Sequence, residues 1–600
     1  MNKLAVLLLA LVMSGAALAG PNDNSLIVGA SQEPAALEPF VNNQAITAEI
    51  MGYMFPGFTR VNLEGDVLPI VAESIPTQEN GGVVVVLDEN DEPVSMTVRW
   101  TIREEAVYSD GTPIRTDSVA LGYEIFGDPN LPVPDRTYYD LISDLNIIDD
   151  RTFEVTYEPV NLFYQLLVGF PVVDAPAHIW GPIWDDVQAQ LADASPEQAA
   201  EIVQNELLGH PIATPELGPP VTYGAFQFVE WTPGASIAME RNPLFWLEPE
   251  GGADNYVQSV DYRFIQNTPT LLVNVLSGNT DALSSVGLEI DQLETLQRSA
   301  RNVFDVYAVA SSVWEHVEIN KWSTVQAVAD LTLDDVRTRQ ALISAMNRTG
   351  LVEEVFNGAV VLSNSFVNNS SPLFNPDVNA YPYDPERARE LLAEVGWGDS
   401  DGNGLLDRTT EDGRTVDFVI EYVTVAGRAD RERNQQYFCN DLREVGIGCS
   451  INNAPSSVVF DDAYFSRSSE GTWTGFFEFA WVSNPLLEDG NLYNCAAIPS
   501  ADNGFSGNNI GNWCNEEYDA LWEAAQTELD PEARAQLFFE MQEIWSNELP
   551  TIPLYQTATP VTVRHGLVNY TFNGPTQYPG WNAWEIGWEQ NGAVQRVTQP

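Results

Sequence analysis

The sequence predicts a mixed α/β or α+β protein of several domains, and three observations predict it. Six hundred residues exceed what one hydrophobic core organises, because about 150 residues per domain gives two to four. The composition, 44% hydrophobic and 19% charged, is that of a globular chain and not of a disordered one. Short strand-like windows alternate with helical stretches, without a strict βαβ rhythm, an internal repeat or a low-complexity linker.

In chain order, the first element lies outside the fold. Met1-Asn2-Lys3, the apolar run Leu4–Met13 and Ala17-Leu18-Ala19 read as the basic start, apolar stretch and cleavage site of a secretory signal peptide. The run is shorter than the roughly 18 residues a spanning helix needs. Cleavage after Ala19 is expected, and it removes Lys3 and no acid, leaving the chain one unit more negative than −59. No cysteine stands near that site to accept a lipid. The expectation is a soluble extracytoplasmic protein, periplasmic or secreted, and not lipid-anchored.

Strands are expected at Ser25–Ala30, Ser95–Ile102, Thr152–Tyr157, Ser236–Glu240 and Ser259–Ile265, where apolar residues alternate with polar ones or run between turn signals. Helices are clearer in the second half. Asp384-Pro385-Glu386 is an N-cap, a first-turn proline and an acid, followed by Ala388, Leu391, Leu392 and Val395 on one face and Gly396 as the stop. Asp530-Pro531 opens a second helix with Leu537, Met541, Ile544 and Trp545 inward. Asn515 caps a third that buries Tyr518, Leu521, Trp522 and Ala525.

Charge removes whole classes of function. Eighty-six acids face 27 bases, and lysine occurs only at Lys3 and Lys321. Such a surface repels phosphate backbones and anionic bilayers, so nucleic acid is excluded as a partner. Four cysteines in an oxidising compartment allow three pairings, of which proximity favours two local disulfides, Cys439–Cys449 and Cys495–Cys514, each closing a loop of roughly ten to twenty residues worth about 3 kcal/mol. The four histidines are scattered and no CxxC occurs, which argues against zinc. Asp399, Asp401, Asn403, Gly404 and Asp407 fit positions 1, 3, 5, 6 and 9 of a calcium loop. Thr410 stands at position 12, where a bidentate Glu belongs, and a polar loop capping its own backbone is the competing reading. There is no nucleophile elbow, zinc-protease helix, dinucleotide fingerprint or P-loop.

Several blocks stand in the order of one family. These are Glu33-Pro34-Ala35-Ala36-Leu37-Glu38-Pro39, Val67–Ser74, Tyr108-Ser109-Asp110-Gly111-Thr112-Pro113, Ala177–Trp180, Tyr223–Phe226 with Glu240-Arg241-Asn242-Pro243, Ser277–Asp281, Val336–Leu342 with Asn347-Arg348, and Tyr383–Ala388. Together they resemble the extracytoplasmic solute-binding proteins of the peptide/nickel class that feed ATP-binding-cassette importers. The resemblance runs through nearly the whole chain after residue 19.

It implies a two-lobed α/β clamp with two interlobe crossovers and an extra domain inserted in the first lobe. The expected division is 20–65, 215–305 and 560–600 for lobe I, 66–214 for the inserted domain and 306–559 for lobe II. It also implies a monomeric receptor without catalytic activity, a solute enclosed between the lobes and a membrane permease as partner. An oligopeptide is the first expectation and an oligosaccharide the alternative. A secreted glycosidase using two of the many acids is the remote one.

Some peptide-binding members hold the ligand's amino group with an Asp after a Gly/Ala-Trp pair. Here Ala480-Trp481 leads to Asn484 at that position, which accepts a hydrogen bond but supplies no charge, unless Glu478, Glu488 or Asp489 substitutes. Trp481 is expected as an aromatic wall. Glu33, Tyr223, Trp314 and Asn320 are further ligand-contact candidates, each set against packing or capping. Arg339 and Arg348 are expected to pair with neighbouring acids.

Overall fold

The computed structural model describes residues 24–41, 44–63, 65–90, 93–133, 136–167, 170–482, 490–501, 505, 507–572 and 578–595. Residues 1–19, expected to be a signal peptide, and the stretch holding Asn484, Glu488 and Asp489 lie outside them. No described helix is long and apolar enough to cross a membrane.

One eleven-stranded sheet runs through the described molecule. At one end, Ser25–Ala30 lies parallel to Ser259–Phe264 and to Ala282–Leu283, and antiparallel Ser236–Arg241 and Phe226–Thr232 extend that side. At the other end, Val419–Val423 lies parallel to Gly448–Ile451 and to Phe476–Val482. Two long antiparallel strands, Phe304–Ile319 and Thr551–Arg564, join the two ends. These are the crossovers. The boundaries expected at 305/306 and 559/560 fall within them, whereas the one at 65/66 falls inside the small hairpin that pairs Thr59–Val61 with Val67–Pro69.

A separate antiparallel sheet orders Val83–Leu87, Pro93–Thr101, Thr152–Tyr157 and Ile142–Ile147. Its inward side chains Met96, Val98, Trp100, Phe153, Val155 and Tyr157 share one apolar core with Leu26, Val28, Tyr53, Val260 and Tyr262 of the first lobe. The second lobe has a core of its own around Val317, Leu342, Leu392, Ile420, Phe438 and Ile552. Shared apolar burial thus welds the inserted sheet to the first lobe, while the largest core of the second lobe stands apart from it.

Local signals placed the helices. Asp384 accepts from the Arg387 N–H (2.9 Å) ahead of Pro385–Glu394, and Gly396 follows at φ +95°. Asn515 caps Glu516–Ala525 and Asp530 caps Pro531–Glu548 in the same way. In the last helix Phe538 and Gln542 are buried alongside Met541 and Trp545, while Leu537 and Ile544 are only partly covered. The inward face is therefore rotated from the expected one, because Gln542 donates to the Leu373 and Phe538 carbonyls and accepts from Ser365. Both disulfides form as expected, Cys439–Cys449 and Cys495–Cys514.

Candidate functional site: an open strand edge beside an aromatic cavity

The crossing strands lose register midway. Ala310 pairs with Ala558 and Trp314 with Gln556, so Ser311, Ser312 and Val313 stand against Thr557 alone. Side chains replace the missing ladder. The Ser311 and Thr557 hydroxyls hydrogen-bond each other, Ser311 Oγ accepts from the Val313 N–H (3.0 Å), and Thr557 Oγ1 donates to the Val313 carbonyl (3.2 Å). A bulge between two separate cores is a place where backbone angles change while the packing of each core stays intact.

Just beyond that bulge lies Phe476–Val482. On one side it pairs along its whole length with Val313–Ile319. On the other it meets Val419–Val423 only at Phe476 and Phe477. Three hydrogen bonds fix which residues point which way. The Gly475 carbonyl accepts from Asn320 on the fully paired side, whereas the Thr474 N–H reaches Glu421 and the Glu478 carbonyl accepts from Thr424 Oγ1 on the other. Main-chain groups alternate along a strand. The N–H and C=O of Ala480 therefore point to the side where, among the described residues, pairing has stopped.

That edge borders a cavity of about 980 Å³ lined by Phe460, Phe465, Arg467, Phe479, Ala480, Trp481, Phe505 and Asn508 among others. Trp481 meets Phe479 edge-on at 5.2 Å and Phe465 at 6.4 Å. Phe460, 44% exposed, presents its ring 5.6 Å from Phe465 and 6.0 Å from Phe479. The Arg467 guanidinium sits 3.9 Å from the centre of the Phe505 ring and bonds Glu470 at 3.0 Å. The Cys495–Cys514 disulfide staples the loop that carries Phe505.

Behind Trp481 the wall is dry. His316 lies parallel to Trp481 at 6.4 Å and is enclosed by Trp314 and Phe479. Burial, helped by Arg431, pushes the His316 imidazole down to about 3, so it is neutral at physiological pH. The opposite face of the same strands is polar. Arg431 forms a bidentate ion pair with Glu315 at 2.9 and 3.1 Å, both buried. Glu478 accepts from Tyr422 and Asn434, each at 2.8 Å. Burial and the nearby Glu315 charge push the Glu478 carboxyl up to about 8, so it holds a proton at neutral pH.

Of the sequence candidates, Trp481 lines the cavity. Asn484 is outside the described residues, as are Glu488 and Asp489. Glu478 is fully buried on the face away from Trp481. Glu33 accepts from Trp231 Nε1 (2.7 Å) and the Gly234 N–H (3.0 Å), fixing a first-lobe hairpin turn whose Gly234 has φ +71°. The buried Tyr223 hydroxyl donates to Asp174 and accepts from the Gly57 N–H (3.1 Å), tying the loop that holds Asp174 to the first lobe. Trp314 is 2% exposed. Asn320 is wholly buried, donating to the Ser468 and Trp473 carbonyls and accepting from the Trp322 N–H. Arg339 and Arg348 do not pair with acids as expected; both reach main-chain carbonyls, those of Glu548, Leu333 and Asp334 for the first and of Ser363, Pro553 and Ala380 for the second. Buried carbonyls at loop junctions need donors, and the planar guanidinium supplies several at once.

In the loop read for calcium, Asp399, Asp401 and Asp407 each bring one oxygen within 4.8 Å of the others. Asp399 accepts from the N–H groups of Gly402, Asn403 and Gly404, Asp401 accepts from Asn403, and Asp407 takes both the N–H and hydroxyl of Ser400. Thr410 at position 12 donates its hydroxyl to Asp412 or the Arg414 carbonyl.

Two separately cored lobes, two crossing strands with a bulge at their midpoint and an aromatic cavity beside it define a clamp-type solute-binding protein. Residues 68–497 match the family described as Bacterial extracellular solute-binding proteins, family 5 Middle, and the chain belongs to that family. A crystal structure of the oligopeptide-binding protein from Thermus thermophilus, complexed with a pentapeptide, is 45% identical with a TM-score of 0.71 over 97% of this chain and 99% of that chain. The periplasmic oligopeptide-binding protein OppA of Salmonella typhimurium is 22% identical over 92% of this chain and 90% of its own length. The heme-binding protein A of Haemophilus influenzae is 28% identical over 74% of this chain and 72% of its length.

Proposed function

We propose that this chain is the extracytoplasmic receptor of an ATP-binding-cassette importer that captures an oligopeptide between its lobes and delivers it to a membrane permease. The observation that carries this reading is the edge at Ala480, left unpaired among the described residues. An extended peptide supplies a matching N–H and C=O at every second residue, and a sugar does not. The kinship to a protein solved with a pentapeptide supports the same reading. Bending at Ser311–Val313 and Thr557 brings the first lobe over the peptide, and contacts made only in the closed form stabilise it. Asn484 accepts a hydrogen bond from the ligand's amino group, without the charge an Asp brings. The protein acts as a monomer, after cleavage near Ala19, and its role is binding without turnover.

A thermal-shift panel of oligopeptides and oligosaccharides, read alongside native mass spectrometry, tests this. A peptide at 100 times its Kd stabilises the fold by about 2.7 kcal/mol. Shifts with peptides and intact recovery of the ligand are expected. Shifts with sugars alone, or turnover of a chromogenic glycoside, overturn the reading.

A further inference from the structure

We infer that this receptor selects peptides by a large apolar side chain at alternate positions, taken into the cavity formed by Phe460, Phe465, Phe479, Trp481 and Phe505. The inference rests on the peptide reading above and adds the class of peptide.

The first step is geometric. A ligand strand added at the Ala480 edge keeps the pleat of Phe476–Val482, so its side chains fall alternately on the two faces of the extended sheet. Phe477, Phe479 and Trp481 share one face, because they alternate with Phe476, Glu478 and Ala480. Side chains of adjacent strands on one face stand about 5 Å apart. Every second ligand side chain therefore enters the space in front of Phe479 and Trp481, and the ones between point away.

The second step is chemical. That space is about 980 Å³, room for more than one side chain. Five aromatic rings from three chain segments converge on it: Phe460 and Phe465, then Phe479 and Trp481, then Phe505. Phe460 keeps 44% of its surface exposed there, an apolar area that a ligand side chain covers. Arg467 is the one cation among the lining residues, its guanidinium carbon 3.9 Å from the centre of the Phe505 ring and Glu470 its ion-pair partner, with Asp461, Ser466 and Asn508 as the polar part of the lining. A small side chain leaves these five rings uncovered and gains little from them.

The test is a series of hexapeptides of alternating alanine and serine, each carrying one phenylalanine moved through the six positions, titrated calorimetrically against the full-length mature protein. The parent peptide is expected to bind, and phenylalanine is expected to raise affinity about 10- to 100-fold at positions of one parity only. In the F460S variant the ratio of phenylalanine to parent affinity is expected to fall at least about fivefold. Parent and phenylalanine peptides of equal affinity at every position would overturn the selectivity and leave the peptide receptor standing. Equal gain at all six positions would overturn the alternation. No binding by any peptide would overturn the proposed function itself, and the selectivity with it.

Discussion

Two strands of the same sheet show the division between scaffold and receptor. Ser25–Ala30, in the first lobe, pairs along all of its length with Ser259–Phe264, and its far edge is taken by Ala282–Leu283, with Asp281 accepting from the Ile27 N–H. Its main chain is satisfied from within the protein. Phe476–Val482, in the second lobe, is paired along its whole length on one edge, whereas on the other, among the described residues, the ladder ends at Phe477 and the Glu478 carbonyl takes the Thr424 hydroxyl. A buried sheet normally closes its ladders, so an edge left open beside a cavity is a feature with a use.

Proline sharpens this comparison most, because it removes one N–H at a chosen edge. At Ala480 the missing N–H faces the open edge, so A480P is expected to weaken peptide binding by more than about 100-fold, through the lost hydrogen bond and the displaced ligand strand. The midpoint of unfolding should fall only modestly. F479P removes an N–H directed at Phe304–Ile319 and is expected to cost about 3 kcal/mol or more of stability. Calorimetry with a binding peptide and denaturant unfolding of both variants separate the two effects. Similar losses in both variants would break the assignment of edges.

The ion pair behind the open strand is the next largest effect. R431M leaves the Glu315 carboxylate buried without its partner and is expected to destabilise the protein by about 3–5 kcal/mol in urea unfolding.

Protons give an effect that is spread continuously over the pH range. Glu478 is pushed from an ordinary 4.5 up to about 8, and Glu49, buried against Tyr262, Ser284 and Ser285, up to about 7. Between about pH 4.5 and 8 the folded chain keeps protons that the unfolded chain loses. Their stabilising contribution is full at the acid end and fades as pH rises, by up to about 1.4 kcal/mol per pH unit for each group. The unfolding midpoint is expected to fall from pH 5 to pH 8, and E478Q is expected to flatten that slope.

Calcium is expected to do least. Thr410 replaces the bidentate ligand, and both oxygens of Asp407 already serve Ser400. The unfolding midpoint should be the same in excess calcium and in chelator. A rise with calcium would make Asp399–Asp407 a binding loop.

Much of the scaffold was legible in the sequence for the same reason that it is scaffold. The family-like blocks are backbone pins. Asp110 accepts from Thr112 in a turn where Gly111 has φ +86°, Asn242 donates to the Gly224 carbonyl, Arg241 to that of Val257, and Arg348 to four carbonyls. Each of these tasks needs one residue type, so each leaves a mark in the chain. The cysteine pairs and the capped helices were readable on the same terms.

The receptor part left fainter marks. Ala480 acts through its main chain, and any residue but proline supplies that. Phe460, Arg467 and Phe505 become neighbours of Trp481 only after three segments fold together, and no spacing in the sequence announces it. Tyr223, Trp314 and Asn320 stand in family-like places, yet their polar groups or rings are enclosed within the protein. The bulge at Ser311–Val313 carries no glycine or proline to mark it in the sequence.

The most direct measurement is hydrogen exchange at single-residue resolution along Phe476–Val482, with and without a bound peptide. The Ala480 amide is expected to exchange readily in the free protein and to become strongly protected on binding, while the Phe479 and Trp481 amides, already bonded to Phe304–Ile319, change little. A peptide that binds tightly yet leaves Ala480 as exchangeable as before would contradict main-chain capture at this edge.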